Sequence, residues 1–145
     1  MYDDILVPTD GSDAALAALD HALSIADRFD ATVHALYVVE TDPIGHSAPA
    51  LDRDSVREAL QDEGERAVAA VEERSAERGV ASTGDVIEGV PETAILDYVD
   101  EGGIDLIAMG THGRDGLDRY LVGSVTERVI RRTHVPVVVV REEVT

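Results

Sequence analysis

Two short stretches carry residue types that could hold a phosphate chain. One is Pro8-Thr9-Asp10-Gly11-Ser12; the other is Gly110-Thr111-His112-Gly113, followed after nine residues by Gly123-Ser124-Val125-Thr126. Glycines at 110, 113 and 123 let a backbone turn tightly and let a ligand approach with no Cβ in the way. Ser124 stands where a helix is predicted to begin. The N–H groups of a first helical turn lack intrahelical acceptors, and with the positive end of the helix dipole they attract anions. A site of this kind holds phosphate through oriented amides and needs no lysine.

That last point matters, because the chain has no lysine. Its 12 basic residues are all arginine, set against 30 Asp and Glu, for a formal charge of −18. No Walker A loop, Schiff-base chemistry or receiver-domain lysine can be built from this composition. The absence of cysteine removes disulfides, thiol nucleophiles and cysteine-based zinc sites. The absence of asparagine removes N-glycosylation acceptors. An acidic surface repels phosphate backbones and anionic lipid, so neither nucleic acid nor a membrane surface is expected as a partner. The start Met1-Tyr2-Asp3-Asp4 is acidic where a signal peptide is basic. Val135 to Val140, the longest hydrophobic stretch, falls far short of a membrane span of about 20 residues. A soluble cytoplasmic domain is expected. The acids are spread along the whole chain and arginine replaces every lysine, a bias that fits a solvated surface adapted to high salt and a source among extreme halophiles.

The elements that must position those residues follow from periodicity. Ile5-Leu6-Val7 reads as a buried strand ending at Pro8, and Ser12 to Phe29 as a helix with Leu16, Leu19, Leu23 and Ala26 inward. Thr32 to Val39 is a second strand. Asp42 to Leu51, with Pro43, Gly45 and Pro49, is a long loop. A helix over Asp54 to Arg78 with Val56, Leu60, Ala67 and Val71 on one face is stopped by Gly79. Thr83 to Glu88 is a third strand, and Pro91 opens a helix running through Val99 to Gly102-Gly103. Ile104 to Met109 is a fourth strand, Ser124 to Arg132 a last helix and Val135 to Arg141 a fifth strand. The alternation predicts an α/β fold, residues 1–145 as one domain, with a doubly wound parallel sheet covered on both faces. Ligands of such sheets bind beyond the carboxyl ends of the strands, where strand order reverses.

The spacing Gly-x2-Gly-x9-Gly-Ser resembles the nucleotide-binding signature of the universal stress protein (UspA-like) family. The likeness runs through Met109 to Val129 (MGTHGRDGLDRYLVGSVTERV) and includes Pro8-Thr9-Asp10, Val38, Gly89-Val90-Pro91 and Pro136 to Val140, so it spans essentially the full chain. It implies a five-stranded parallel sheet of order 3-2-1-4-5, adenine nucleotide alpha hydrolase-like, in the ATP-binding branch. By this resemblance Asp10 and Val38 flank adenosine while Pro8 and Thr9 shape that wall. Met109, Gly110 and Gly113 line the ribose and phosphate path, with His112 and Arg114 in the same loop. Gly123, Ser124, Val125 and Thr126 bind phosphates, and the ligand is ATP, or AMP or ADP, with Mg²⁺ or Mn²⁺ carried by the phosphates. A homodimer through the edge strand Val137 to Arg141 is also implied.

Several of these residues have plainer uses. Ser124-x-x-Glu127 is also a capping box, and Asp10 could cap the helix that follows it. Arg114 could contact phosphate through its fork geometry or pair with Asp115 or Asp118. His112 has no specified partner for base catalysis, and His21, His34, His46 and His134 lack metal-ligand spacing. Arg131-Arg132 suits a helix C-terminus. No catalytic residue is assigned. The expected function is a regulatory nucleotide-binding stress module. Two alternatives stand beside it, a slow ATPase or autophosphorylating enzyme with Ser124 or Thr126 as acceptor, and a stress-associated interaction dimer with a vestigial site.

Overall fold

In a computed structural model the apolar runs and amphipathic stretches become nine elements among the described residues. They are β1 (Asp4–Pro8), α1 (Asp13–Phe29), β2 (Thr32–Glu40), α2 (Ala50–Glu77), β3 (Ser82–Gly89), α3 (Pro91–Gly102), β4 (Leu106–Gly110), α4 (Ser124–Arg132) and β5 (Val137–Val140). The structure describes residues 1–40, 50–111 and 123–141, with the backbone alone for 50–53.

The strands form one sheet of order β3-β2-β1-β4-β5, and every pairing is parallel. This is the predicted doubly wound architecture. Successive side chains of a strand point to opposite faces, and each face has its own core. Ile5, Val7, Val33, Ala35, Leu106 and Ala108 pack under α1 and α2 through Leu19, Leu23, Val68 and Val71. On the other face Leu6, Leu36, Ile107 and Met109 meet Ile95 and Val99 of α3 and Val129 of α4. Central strands β1 and β4 are therefore buried without alternation, whereas the edge strand β3 alternates between half-buried and exposed positions.

Local signals set most boundaries. Pro91 occupies the first turn of α3, and Gly103 closes that helix in the left-handed region at φ 64°. The long helix departs from expectation at its start: α2 begins at Ala50, ahead of Asp54. Val56 is 41% exposed instead of lying inward. The inward face is carried by Val68, Val71 and Ser75, whose hydroxyl donates to the Val71 carbonyl at 2.8 Å. β4 starts at Leu106, not Ile104, because the Ile104 N–H is used on Val99 O to close α3. β5 is shorter than the predicted 135–141.

The connections β1-α1-β2 and β2-α2-β3 progress toward one edge, and β4-α4-β5 toward the other. Strand order thus reverses between β1 and β4. A crevice is expected beyond the carboxyl ends of these two strands, at the switch point of the topology.

Candidate functional site

The exit from β1 is closed by its own side chains. The Thr9 N–H donates to Leu36 O at 2.8 Å, continuing the ladder one residue past Pro8. Asp10 Oδ1 then accepts the Ser12 N–H at 2.9 Å, and Thr9 Oγ1 accepts the Gly11 N–H at 3.1 Å. Gly11 sits at φ 81°, where a side chain would be strained. The N-cap of α1 is Ser12, whose Oγ accepts the Ala15 N–H at 3.2 Å. Asp10 is not the helix cap; it shapes the turn that delivers Ser12 to that role.

The exit from β4 is built differently. A Cβ at Gly110 would lie 2.9 Å from the Cβ, carbonyl carbon and oxygen of Ala14, so only glycine lets α1 pass this close to the strand end. The Thr111 N–H donates to Val140 O at 3.0 Å, and the Thr111 carbonyl accepts the Gly123 N–H. Gly123 is the N-cap of α4 and offers no side-chain cap. The predicted capping box does not form. With Gly123 in the cap position, Ser124 and Glu127 fall one residue out of register, and Glu127 pairs with Arg131 at 2.8 Å. The first intrahelical bond runs from Glu127 N–H to Gly123 O, so the amides of Ser124, Val125 and Thr126 have no acceptor within the helix.

Thr126 fixes this open turn against the sheet. Its hydroxyl donates to the Gly110 carbonyl at 3.0 Å, and the residue is 5% exposed. Ser124, by contrast, is exposed. Farther along α4, Arg128 and Arg132 both reach Glu92 in the first turn of α3, at 3.1 Å to Oε1 and 3.2 Å to Oε2. Arg132 therefore serves an interhelical pair, beyond the helix-end role its position predicts.

Of the sequence-predicted site residues, Pro8, Thr9 and Asp10 lie at the end of β1, and Met109 and Gly110 at the end of β4. Gly123, Ser124, Val125 and Thr126 form the start of α4. Val38 lies on β2, two residues beyond the Leu36 that receives Thr9, on the face shared with Met109. His112, Gly113 and Arg114 lie outside the described residues. Thr111 was singled out only as part of its stretch, with no role of its own, and the Glu92 triad was not foreseen. Their signals were a buried-type threonine after a strand, an acid directly after Pro91, and two arginines four residues apart.

Two further polar pairs involve strand residues, Asp4 at the start of β1 and Asp85 in the middle of β3. His34 Nε2 lies 2.9 Å from Asp4 Oδ1, and the Tyr98 hydroxyl donates to Asp85 Oδ2 at 2.9 Å. Burial, followed by the bond to and the charge of Asp85, pushes the Tyr98 phenol up to about 12. Among the described residues no three His, Asp or Glu are placed to hold a metal ion, and no helix is long and apolar enough to cross a membrane.

A doubly wound sheet with a glycine-lined strand exit and an open helix start at its switch point defines a class of α/β protein. Within that class the chain belongs to the universal stress protein family, whose pattern it matches over residues 1–141. It is 42% identical over 142 residues to universal stress protein MJ0531 of Methanocaldococcus jannaschii, covering 98% of this chain and 84% of that one. The fold superposes on MJ0577 of the same organism with a TM-score of 0.88 at 29% identity, over 100% of this chain and 99% of that one. A universal stress protein solved in complex with cAMP is 25% identical, with a TM-score of 0.71 over 98% of each chain.

Proposed function

We propose that this chain is an ATP-binding universal stress protein, holding ATP or a related adenine nucleotide in the crevice between the ends of β1 and β4. The observation that carries this reading is the contrast between the two helix starts at the switch point. α1 is capped by Ser12, whereas α4 presents three first-turn amides with no side-chain cap. An anionic group is the partner such a turn lacks. The neighbour solved with cAMP supports an adenine nucleotide as the source of that anion.

In this reading the phosphates lie on the amides of Ser124, Val125 and Thr126, with the Ser124 hydroxyl as a further donor and Arg114 as a side-chain contact. Gly110, Gly113 and Met109 border the ribose and phosphate path; Pro8, Thr9, Asp10 and Val38 form the adenosine wall, and His112 is a further nucleotide contact. Mg²⁺ or Mn²⁺ arrives on the phosphates. Bound nucleotide acts as a regulatory or stabilising ligand in a cytoplasmic homodimer paired through the β5 edge, in a cell whose interior is salty.

Slow autophosphorylation is the second reading, and the geometry narrows its acceptor. Thr126 is buried and its hydroxyl proton is used on Gly110 O, which leaves the exposed Ser124.

Gly123→Val tests the site. Gly123 has φ −63° and ψ 156°, a conformation valine adopts freely, so the fold should survive while the branched side chain blocks the phosphates. Loss of nucleotide binding with an unchanged circular dichroism spectrum is expected; unchanged affinity would refute the placement.

A further inference from the structure

The open first turn of α4 can receive an anion only if the helix is held at one angle and one roll. Two ties hold its first turn to the sheet, Gly123 N–H to Thr111 O and Thr126 Oγ1 to Gly110 O. Both lie near one point of the helix, and Val129 seats the following turn in the core. The third tie comes from the side. Glu92 Oε1 accepts a hydrogen bond from Arg128 at 3.1 Å, and the buried Oε2, which accepts no hydrogen bond among the described residues, lies in ion-pair range of Arg132 at 3.2 Å. These arginines are one turn apart on the same face of α4. A carboxylate spanning both fixes the roll of the helix as well as its distance from α3.

Glu92 is well placed for such a strut. Its side chain is 12% exposed, while Arg128 and Arg132 are 57% and 62% exposed. It stands in the first turn of α3, directly after Pro91, where an acid also faces the positive helix end. A carboxylate this covered sits where it does because both arginines meet it.

We propose that Glu92 is a positioning residue for the anion-receiving turn of α4, acting through Arg128 and Arg132 and without touching the ligand. The proposal rests on the nucleotide reading above for its ligand, and on the described geometry alone for its effect on the helix. It also assigns the two arginines. Held by Glu92, they brace α4 instead of serving as phosphate contacts.

Glu92→Gln keeps the shape of the side chain and removes the charge. Two measurements on the full chain separate the possibilities. The first is amide hydrogen exchange without ligand. Exchange at Gly123 and Glu127, whose N–H groups donate to Thr111 O and Gly123 O, should quicken in Glu92→Gln while the amides of β1 and β2 keep their wild-type rates. The second is titration with a fluorescent ATP analogue in Mg²⁺ buffer. Affinity should fall about three- to tenfold, the range over which residues without ligand contact tune a site. Arg128→Met/Arg132→Met should reproduce that fall, and adding Glu92→Gln to it should change nothing further, because all three act as one unit. Tighter binding in Glu92→Gln would mean that freed arginines reach the phosphates, and would overturn the proposal. So would a lowered melting temperature with unchanged exchange at Gly123 and Glu127 and unchanged affinity, the mark of a merely structural pair. A wild-type chain that binds no adenine nucleotide refutes the nucleotide reading, and the exchange measurement still decides the strut.

Discussion

The hydroxyl of Thr126 donates to the carbonyl oxygen of Gly110 at 3.0 Å, joining the first turn of α4 to the end of β4. This bond ties the open helix start to the central sheet through a side chain. Thr126→Val keeps the shape and removes the donor. It should cost about 1–3 kcal/mol in urea unfolding, whereas Thr126→Ser, which keeps the hydroxyl, should cost less than about 1.5 kcal/mol. A larger loss in Thr126→Ser than in Thr126→Val would assign the effect to the methyl group instead.

Gly110 has a second neighbour. An added Cβ would meet the Ala14 backbone and side chain at 2.9 Å, and neither is the end of a flexible side chain. Gly110→Ala should destabilise the chain by about 1–3 kcal/mol through overpacking. Gly110→Ala combined with Ala14→Gly should recover part of that loss, as read from the same denaturation curves.

The turn from β1 into α1 is closed by Ser12 and Asp10. Ser12→Ala removes the N-cap and should cost about 1 kcal/mol, while Ser12→Asp should restore most of it. Calorimetric melting of the three forms checks this.

Alkaline pH should act through Tyr98. Its phenol, half-buried and bonded to Asp85, is pushed up to about 12 from an ordinary value of about 10. A raised folded-state value means that the phenol's contribution is fully present below about pH 10 and is lost as pH rises through about 12. Spectrophotometric titration near 295 nm should show a phenolate step near 12 that is missing in Tyr98→Phe. Between pH 10 and 12 wild-type stability should fall more steeply than that of the variant. Parallel curves would contradict the assignment.

The salt reading of the charge makes a separate prediction. A chain of charge −18 repels itself in dilute buffer, and molar KCl screens that repulsion to about 3 Å. The melting temperature should therefore rise between the two conditions; an equal or higher value in dilute buffer would contradict a salt-adapted surface.

The centre of the fold was legible because each central strand declared itself twice, by an apolar run and by the residue that ended it. Ile5-Leu6-Val7 before Pro8 and Leu106 to Met109 before Gly110 are examples, and both became central strands buried on two faces. The start of α2 was not legible. Its first turns carry few apolar residues, and Val56 faces outward, so no periodicity marked the helix before Asp54. At the site, glycine spacing located Gly110 and Gly123 correctly as strand end and helix start. Which residue caps which helix was hidden, because Ser124-x-x-Glu127 and Gly123 are equally good caps on paper. Register decided for Gly123 once its N–H met Thr111 O. Glu92, Arg128 and Arg132 were invisible as a set, since their meeting depends on how α3 packs on α4 and no local pattern encodes that.

The most direct test is to purify the chain in high salt, denature it and identify what it releases by mass and amount. An adenine nucleotide in equimolar proportion to protein, ATP if turnover is negligible, is the predicted result. An empty protein that also rejects added ATP in the presence of Mg²⁺ would contradict the nucleotide site at the start of α4.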